Sequence, residues 1–229
     1  MPLDIDTIFP CPDQTYHILE PTQCTKIPLF PTVFAETESK VVFRKRVSKG
    51  SYRFQYVYED LMLWEYLLID TFFKARKGRF DEFYLVDWSL PFHIISVSDG
   101  NTTIGVNHLS GVTASIGYGG NQMLIYNPRF DPRNESVVDK FIGTIESIDE
   151  ENSEITFTEA ITSALATSAS MAWILYPALF DTDTLAPTRK ESCIEKRHNY
   201  FHGYGNKYIT GPIMSINVPF MQIGVMADA

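Results

Sequence analysis

Three side chains near the C-terminal end have the chemistry of metal ligands. Cys193, His198 and His202 stand five and four residues apart. A thiolate with two imidazoles suits zinc, and on a helix His198 and His202 would share one face. A structural zinc site takes four ligands, however, and no second cysteine pair lies nearby. The run Gly203-Tyr204-Gly205-Asn206 follows at once and reads as a turn. The expectation is therefore hydrogen-bonded or exposed histidines and no metal. Asp181 with Asp183, and Asp149 to Glu151, offer oxygen ligands. Neither segment alternates its ligands or ends on a bidentate closing acid, so both read as solvated turns and not as calcium loops.

Nucleophile and phosphate chemistry are no better supplied. No Gly-x-Ser-x-Gly elbow is present, and no Gly-Lys-Ser/Thr follows the glycines between Gly111 and Gly120. Gly117-Tyr118-Gly119-Gly120 reads as a link or turn. With 28 acidic residues, spacing alone selects no carboxylate pair for glycoside cleavage. No acid, base and nucleophile converge, as a cell-wall hydrolase would require, so the reading is a non-enzyme without cofactor or metal.

Charge narrows the partners. The chain carries 19 basic and 28 acidic residues, a net charge of -9. Affinity for phosphate comes from Lys and Arg, so a free-standing nucleic-acid binder is disfavoured, while an acidic wall lets nucleic acid slide past without adhering. Three cysteines (Cys11, Cys24, Cys193) are too few and too odd for a disulfide framework and read as reduced thiols. The first residues lack a basic region followed by an apolar run, and no apolar stretch approaches the ~20 residues of a membrane span. The expected setting is the cytosol, with no membrane insertion.

The densest basic patch is Arg44, Lys45, Arg46, Lys49 and Arg53. It reads either as the solvent face of a hairpin or as a row of salt bridges to another subunit's acidic surface, where exposed pairs set register more than affinity. Beside it, Tyr52, Phe54, Tyr56 and Tyr58 alternate with Ser51, Arg53, Gln55 and Val57. Period two places the four rings on one face of a strand. Arg44, Arg46, Arg53, Tyr52, Phe54 and Tyr56 are thus the candidate inter-subunit contacts.

The elements that must carry these residues follow from pattern. Residues 1–35 hold Pro2, Pro10, Pro12, Pro21, Pro28 and Pro31 and read as an extended N-terminal arm with at most a short strand, either mobile or laid on a partner. Residues 41–47 and 51–58 read as strands joined by a hairpin turn at Ser48 to Ser51. Glu59 and Asp60 read as the acidic start of a helix carrying Leu61, Trp64, Leu68 and Phe72, with Gly78 as its C′ residue. A strand at 80–86 follows. From residue 93 short strands recur: 94–97, 102–106, 122–126, 140–148, 154–157 and 171–176, the last ended by Pro177. They predict a small antiparallel barrel or sandwich. A final strand at 209–218 returns to the sheet begun by 41–58. The predicted fold is mainly β with one amphipathic helix (α+β), a β-sandwich-like body at 36–92 and 181–229 and an inserted small β-barrel at 93–180.

The run from Phe72 to Asp87, Phe-Phe-Lys-Ala-Arg-Lys-Gly-Arg-Phe-Asp-Glu-Phe-Tyr-Leu-Val-Asp, comes after a basic strand, an aromatic strand and an amphipathic helix. In this order it resembles the distal-tail and minor-tail proteins of long-tailed bacteriophages and gene-transfer agents. The segment 94–177, with its Asp-Gly-Asn-Thr-Thr-Ile-Gly-Val start and its Met-Leu-Ile-Tyr-Asn-Pro-Arg middle, resembles the barrel inserted after that strand. The resemblance covers about two thirds of the chain and leaves out the arm and the segment after Asp181. It implies a virion protein without catalytic residues: a homo-hexameric ring between the tail tube and the tail hub or tip, assembled in the host cytoplasm, with DNA only passing through its lumen. The resemblance also implies that the arm orders by adding to a neighbour's sheet edge. The alternative is a carbohydrate- or host-receptor-binding module, with Tyr118, Tyr126, Trp173 and Tyr176 as a stacking platform.

Overall fold

The computed structural model describes residues 8–9, 19–29, 32–36, 42–46, 51–98, 100–112, 121–126, 140–161, 165, 170–197 and 208–223. Its strands are β1 (Ile8–Phe9), β2 (Gln23–Leu29), β3 (Thr32–Glu36), β4 (Val42–Arg46) and β5 (Ser51–Met62), followed by helix α1 (Leu63–Ala75). Then come β6 (Phe83–Val86), β7 (Phe92–Val97), β8 (Thr103–Val106), β9 (Gln122–Tyr126), β10 (Lys140–Asp149) and β11 (Glu154–Phe157). The chain closes with β12 (Met171–Phe180), β13 (Thr188–Arg197) and β14 (Tyr208–Gln222). The protein is mainly β with one helix among the described residues, as the alternating patterns predict.

The aromatic strand β5 organises the body. It lies antiparallel between β2 and β14, with Tyr56 opposite both Cys24 and Val218. Phe54, Tyr56 and Tyr58 point inward and are fully buried, as period two requires. Two expectations about its ends need correction. β4 does not form a hairpin with β5; it pairs with β3, and these two strands make a separate two-stranded sheet. Nor do Glu59 and Asp60 start the helix. They are the extra residues of a β-bulge, lying between the pairs Tyr58–Ile216 and Leu61–Met214, with Asp60 at φ 56°. The bulge turns the strand so that Leu61 and Met62 are both buried before the helix begins.

Helix α1 is capped at its start by Glu65, whose carboxylate accepts the Met62 N–H at 2.6 Å. Ile69 and Phe72 face the core, while Leu63 and Leu67 remain exposed. At the C-terminus the Gly78 N–H reaches the Phe73 carbonyl and the Lys77 N–H reaches the Lys74 carbonyl, both at 3.1 Å. This is a Schellman closure in which Lys77, at φ 52°, takes the left-handed C′ place and Gly78 is one residue further on.

Strands β7, β8, β11, β10, β9 and β12 close into a six-stranded barrel, β12 completing the circle by pairing with both β7 and β9. Its interior is filled by Ile94, Ile104, Met123, Ile125, Ile155 and Phe157, all 2% exposed or less. Gly143 gives these rings room: a Cβ there would stand 2.6 Å from both Phe141 and Phe157. The sequence ends β12 at Pro177, whereas the strand runs on to Phe180. Leu175 is the last residue paired with β9 and Ala178 the first paired with β14. Pro177 turns its missing N–H into the gap between these neighbours, so no ladder bond is lost. One strand thereby belongs to barrel and body at once.

The N-terminal residues also differ from the expected arm. β1 pairs in parallel with β6, and both its side chains are fully buried. Phe9 enters the body core, with ring contacts to Tyr58, Phe72, Phe83, Phe180 and Phe220 at centroid distances of 4.8 to 6.4 Å. Ile8 faces the other way, into a second core with Val86, Leu124, Trp173 and Leu175 on the barrel's outer wall. β2 adds to the chain's own sheet at β5. At the other end, β14 pairs with β5 as far as Ile213, and beyond it residues 208–211 pair with β13 alone among the described strands.

Candidate functional site

The body sheet places the predicted contact residues in three different environments. Phe54 and Tyr56 have no exposed surface and pack in the chain's own core, so their side chains cannot meet a second subunit. The expectation fails for them because the aromatic face of β5 is covered by the chain's own N-terminal segment, α1 and β12. Tyr52 sits half-buried at the rim of this face. Arg53, on the opposite face, is exposed and bonds Asp181 at 2.5 Å. Arg79 reaches the same carboxylate at 3.2 Å and Asp183 at 3.8 Å. The two aspartates that suggested calcium thus accept guanidinium groups. Arg44 and Arg46 lie in β4, opposite Phe34 and Thr32 in register, and their side chains lie outside the described residues.

Beneath Tyr52 is a polar centre that motif reading does not find. Lys26 of β2 extends its ammonium to Asp87, just after β6, at 2.6 Å. Asp87 is fully buried, and its other oxygen accepts both the N–H and the hydroxyl of Ser89. The ammonium also donates to the Tyr176 hydroxyl at 3.1 Å and lies 4.1 Å from the Tyr52 ring centroid and 4.8 Å from that of Tyr176. A carboxylate, a hydroxyl and two ring faces therefore surround one cation, whose side chain stays partly accessible. The only sequence signal was a lysine on the inward-facing parity of a strand whose neighbours Cys24 and Pro28 are apolar.

Titration around this centre follows burial. Desolvation pushes the Cys24 thiol up to about 12, and the nearby Asp87 charge adds to the rise. Burial likewise holds the Tyr56 and Tyr58 phenols well above their ordinary range. None of these groups is poised to move a proton near neutrality.

The barrel does not offer the predicted stacking platform. Tyr126, Trp173 and Tyr176 are 4% exposed or less. Tyr126 stacks on Trp173 at 4.8 Å and donates its hydroxyl to Glu20 at 2.6 Å, and burial raises its phenol above the ordinary range. These rings hold the N-terminal segment against the barrel wall. Tyr118 lies outside the described residues, as do His198, His202 and the Cys193 side chain. Among the described residues no three His, Cys, Asp or Glu side chains gather as a metal site. Nor is any described helix long and apolar enough to cross a membrane.

No family model and no curated protein matches this sequence. Among the described residues the exposed large apolar side chains are Ile27, Leu63, Leu67, Phe80, Ile95 and Met221.

Proposed function

We propose that this chain is a structural protein of a bacteriophage tail, a subunit of the ring that joins the tail tube to the hub or tip. The observation that carries the reading is strand pairing left without a third partner among the described strands. Among the described strands, the β3–β4 sheet is separate from the main sheet, and residues 208–211 of β14 pair only with β13. A lone two-stranded ribbon is marginal in water, so we read β3–β4 as gaining stability from a surface of another subunit. The rest fits an assembling part. The described barrel interior is filled by apolar side chains, and the basic run Arg44-Lys45-Arg46 belongs to a chain of net charge -9, which suits contacts between copies. Head-to-tail contacts between unlike faces close into a ring. The acidic balance suits a lumen through which DNA passes. The barrel, tied to the body by β12, would face outward.

Native mass measurement and negative-stain imaging of the purified chain, together with antibody labelling of tail particles, test the proposal. Six-fold rings and label at the distal end of the tail are expected. A compact two-fold dimer with no label on tails would overturn it.

A further inference from the structure

We infer that the outer edge of β2 receives the β3–β4 ribbon of the next copy, so that the ring closes by strand addition. This rests on the ring reading above and names its interface.

β2 ends the order of the main sheet, with β5 on one side and no described strand on the other. Which peptide groups face outward follows from two hydrogen bonds. The Tyr52 N–H donates to the Gln222 side chain on the β14 side, while the Glu59 N–H donates to the Thr22 hydroxyl on the β2 side. Odd positions of β5 therefore bond to β2 and even positions to β14. In the antiparallel register Tyr56, Phe54 and Tyr52 stand opposite Cys24, Lys26 and Pro28. These three residues are non-bonded partners of β5, so their own peptide groups point to the open edge. The edge thus offers the N–H groups of Cys24 and Lys26 and the carbonyls of Cys24, Lys26 and Pro28.

Sheet edges are commonly guarded by a lysine or a proline. Here Lys26 does not guard: its ammonium turns inward to Asp87. Pro28 ends the donor row without covering it. The chain's own ribbon does not fold back on this edge, and its link shows why. β2 stops at Leu29 and β3 starts at Thr32, leaving Phe30-Pro31 as the connection. A two-residue hairpin needs positive φ at its first or at both central positions, which disfavours Phe and excludes Pro. The ribbon is accordingly not paired with the edge beside which it starts. Its strands are five residues each, the length of the open run from Cys24 to Pro28. Its basic sequence suits an acidic second copy. Ribbon and edge are different surfaces of one chain, which is the heterologous contact a ring requires.

Residue-resolved amide exchange on rings, formed by the purified chain or released from tails, tests this without a variant. On assembly the amides of Cys24 and Lys26 are expected to slow by roughly tenfold or more, while those of Thr25 and Ile27, already bonded to β5, change little. A chain with residues 32–46 replaced by a Gly-Ser linker is expected to melt as before, to stay monomeric and to leave both amides fast. Rings in which Cys24 and Lys26 still exchange quickly, or rings built by the linker variant, overturn the strand-addition interface and leave the ring reading standing. If neither source yields rings of this chain, the ring reading falls and the interface with it.

Discussion

Lys26 and Asp87, 61 positions apart in sequence, meet at 2.6 Å beneath the rim of the body sheet. The contact fastens β2 to the segment that leads from the body strand β6 into the barrel strand β7. Its two ends are not equivalent. Asp87 is fully buried, whereas 17% of the Lys26 side chain remains accessible. Lys26→Met leaves a buried carboxylate with only the Ser89 donors and is expected to cost about 3–5 kcal/mol. Asp87→Asn leaves a cation that can turn toward water and keeps its ring contacts, so about 1–2 kcal/mol is expected. Urea unfolding of both variants checks the order; equal losses would show that the carboxylate is not the buried, dependent partner.

Phe9 anchors the N-terminal segment through five ring contacts. Phe9→Ala opens a cavity among rings that cannot collapse independently, since Phe83, Phe180 and Phe220 also touch one another. The expected loss is about 3–5 kcal/mol, measured by thermal or denaturant unfolding. A loss under about 1 kcal/mol would mean that the segment lies on the surface like the arm its composition suggests.

That composition shows how far sequence reaches. The period-two run of β5 was legible because four large rings alternate with smaller or polar residues, and β9 and β11 were found with the ends the structure gives them. The arm reading allows a short strand, but nothing local shows that β1 and β2 pair with the chain's own β6 and β5, because that stability is tertiary. The helix start was misplaced because aspartate suits a helix N-terminus and a left-handed bulge equally well. Pro177 looked like a stop because no local rule foretells a strand that changes neighbours at that residue. The polar centre was out of reach for the same reason: its members come from β2, β5, β12 and the turn after β6.

The helix terminus gives a stabilising change. Lys77 holds a left-handed conformation at φ 52° and is exposed, with an ion pair to Asp81 at 3.8 Å. Glycine removes the Cβ strain, and an exposed pair of that length contributes little. Lys77→Gly is expected to stabilise the fold by about 0.5–1 kcal/mol, read as a higher melting temperature. A lower melting temperature would show that the packing of Lys77 over the Phe80 ring outweighs the strain.

Gly143 tests the packing of the barrel. A Cβ there would stand 2.6 Å from two phenyl rings, and Phe157 has no room to retreat because it is 1% exposed. Gly143→Val is expected to cost about 1–3 kcal/mol. At Gly100 a Cβ would meet nothing within 4 Å, but its φ of +89° strains any side chain, so a substitution there reads backbone strain where Gly143→Val reads space. Amide exchange should show the Gly143→Val loss concentrated in β10 and β11; an even loss across body and barrel would mean that the shared strand β12 makes them unfold as one unit.

Cys24 makes stability depend on alkaline pH, and the direction can be worked out. Burial holds its thiol at about 12 in the folded chain against 9.0 for an ordinary thiol. A group whose folded pKa is raised keeps its proton more tightly in the native state. Its contribution is fully present below pH 9.0 and fades as pH rises from there toward about 12, while the unfolded chain ionises first. Only the thiolate reacts, so alkylation at Cys24 near pH 8.5, followed by peptide mass analysis, should run roughly a hundredfold or more slower in the native chain than in urea. Cys24→Ser should leave the neutral-pH fold intact and flatten the alkaline decline, with the buried phenols of Tyr56, Tyr58 and Tyr126 contributing to what remains. Fast native alkylation would place the thiol in water and so undo the packing assigned to β2 against β5.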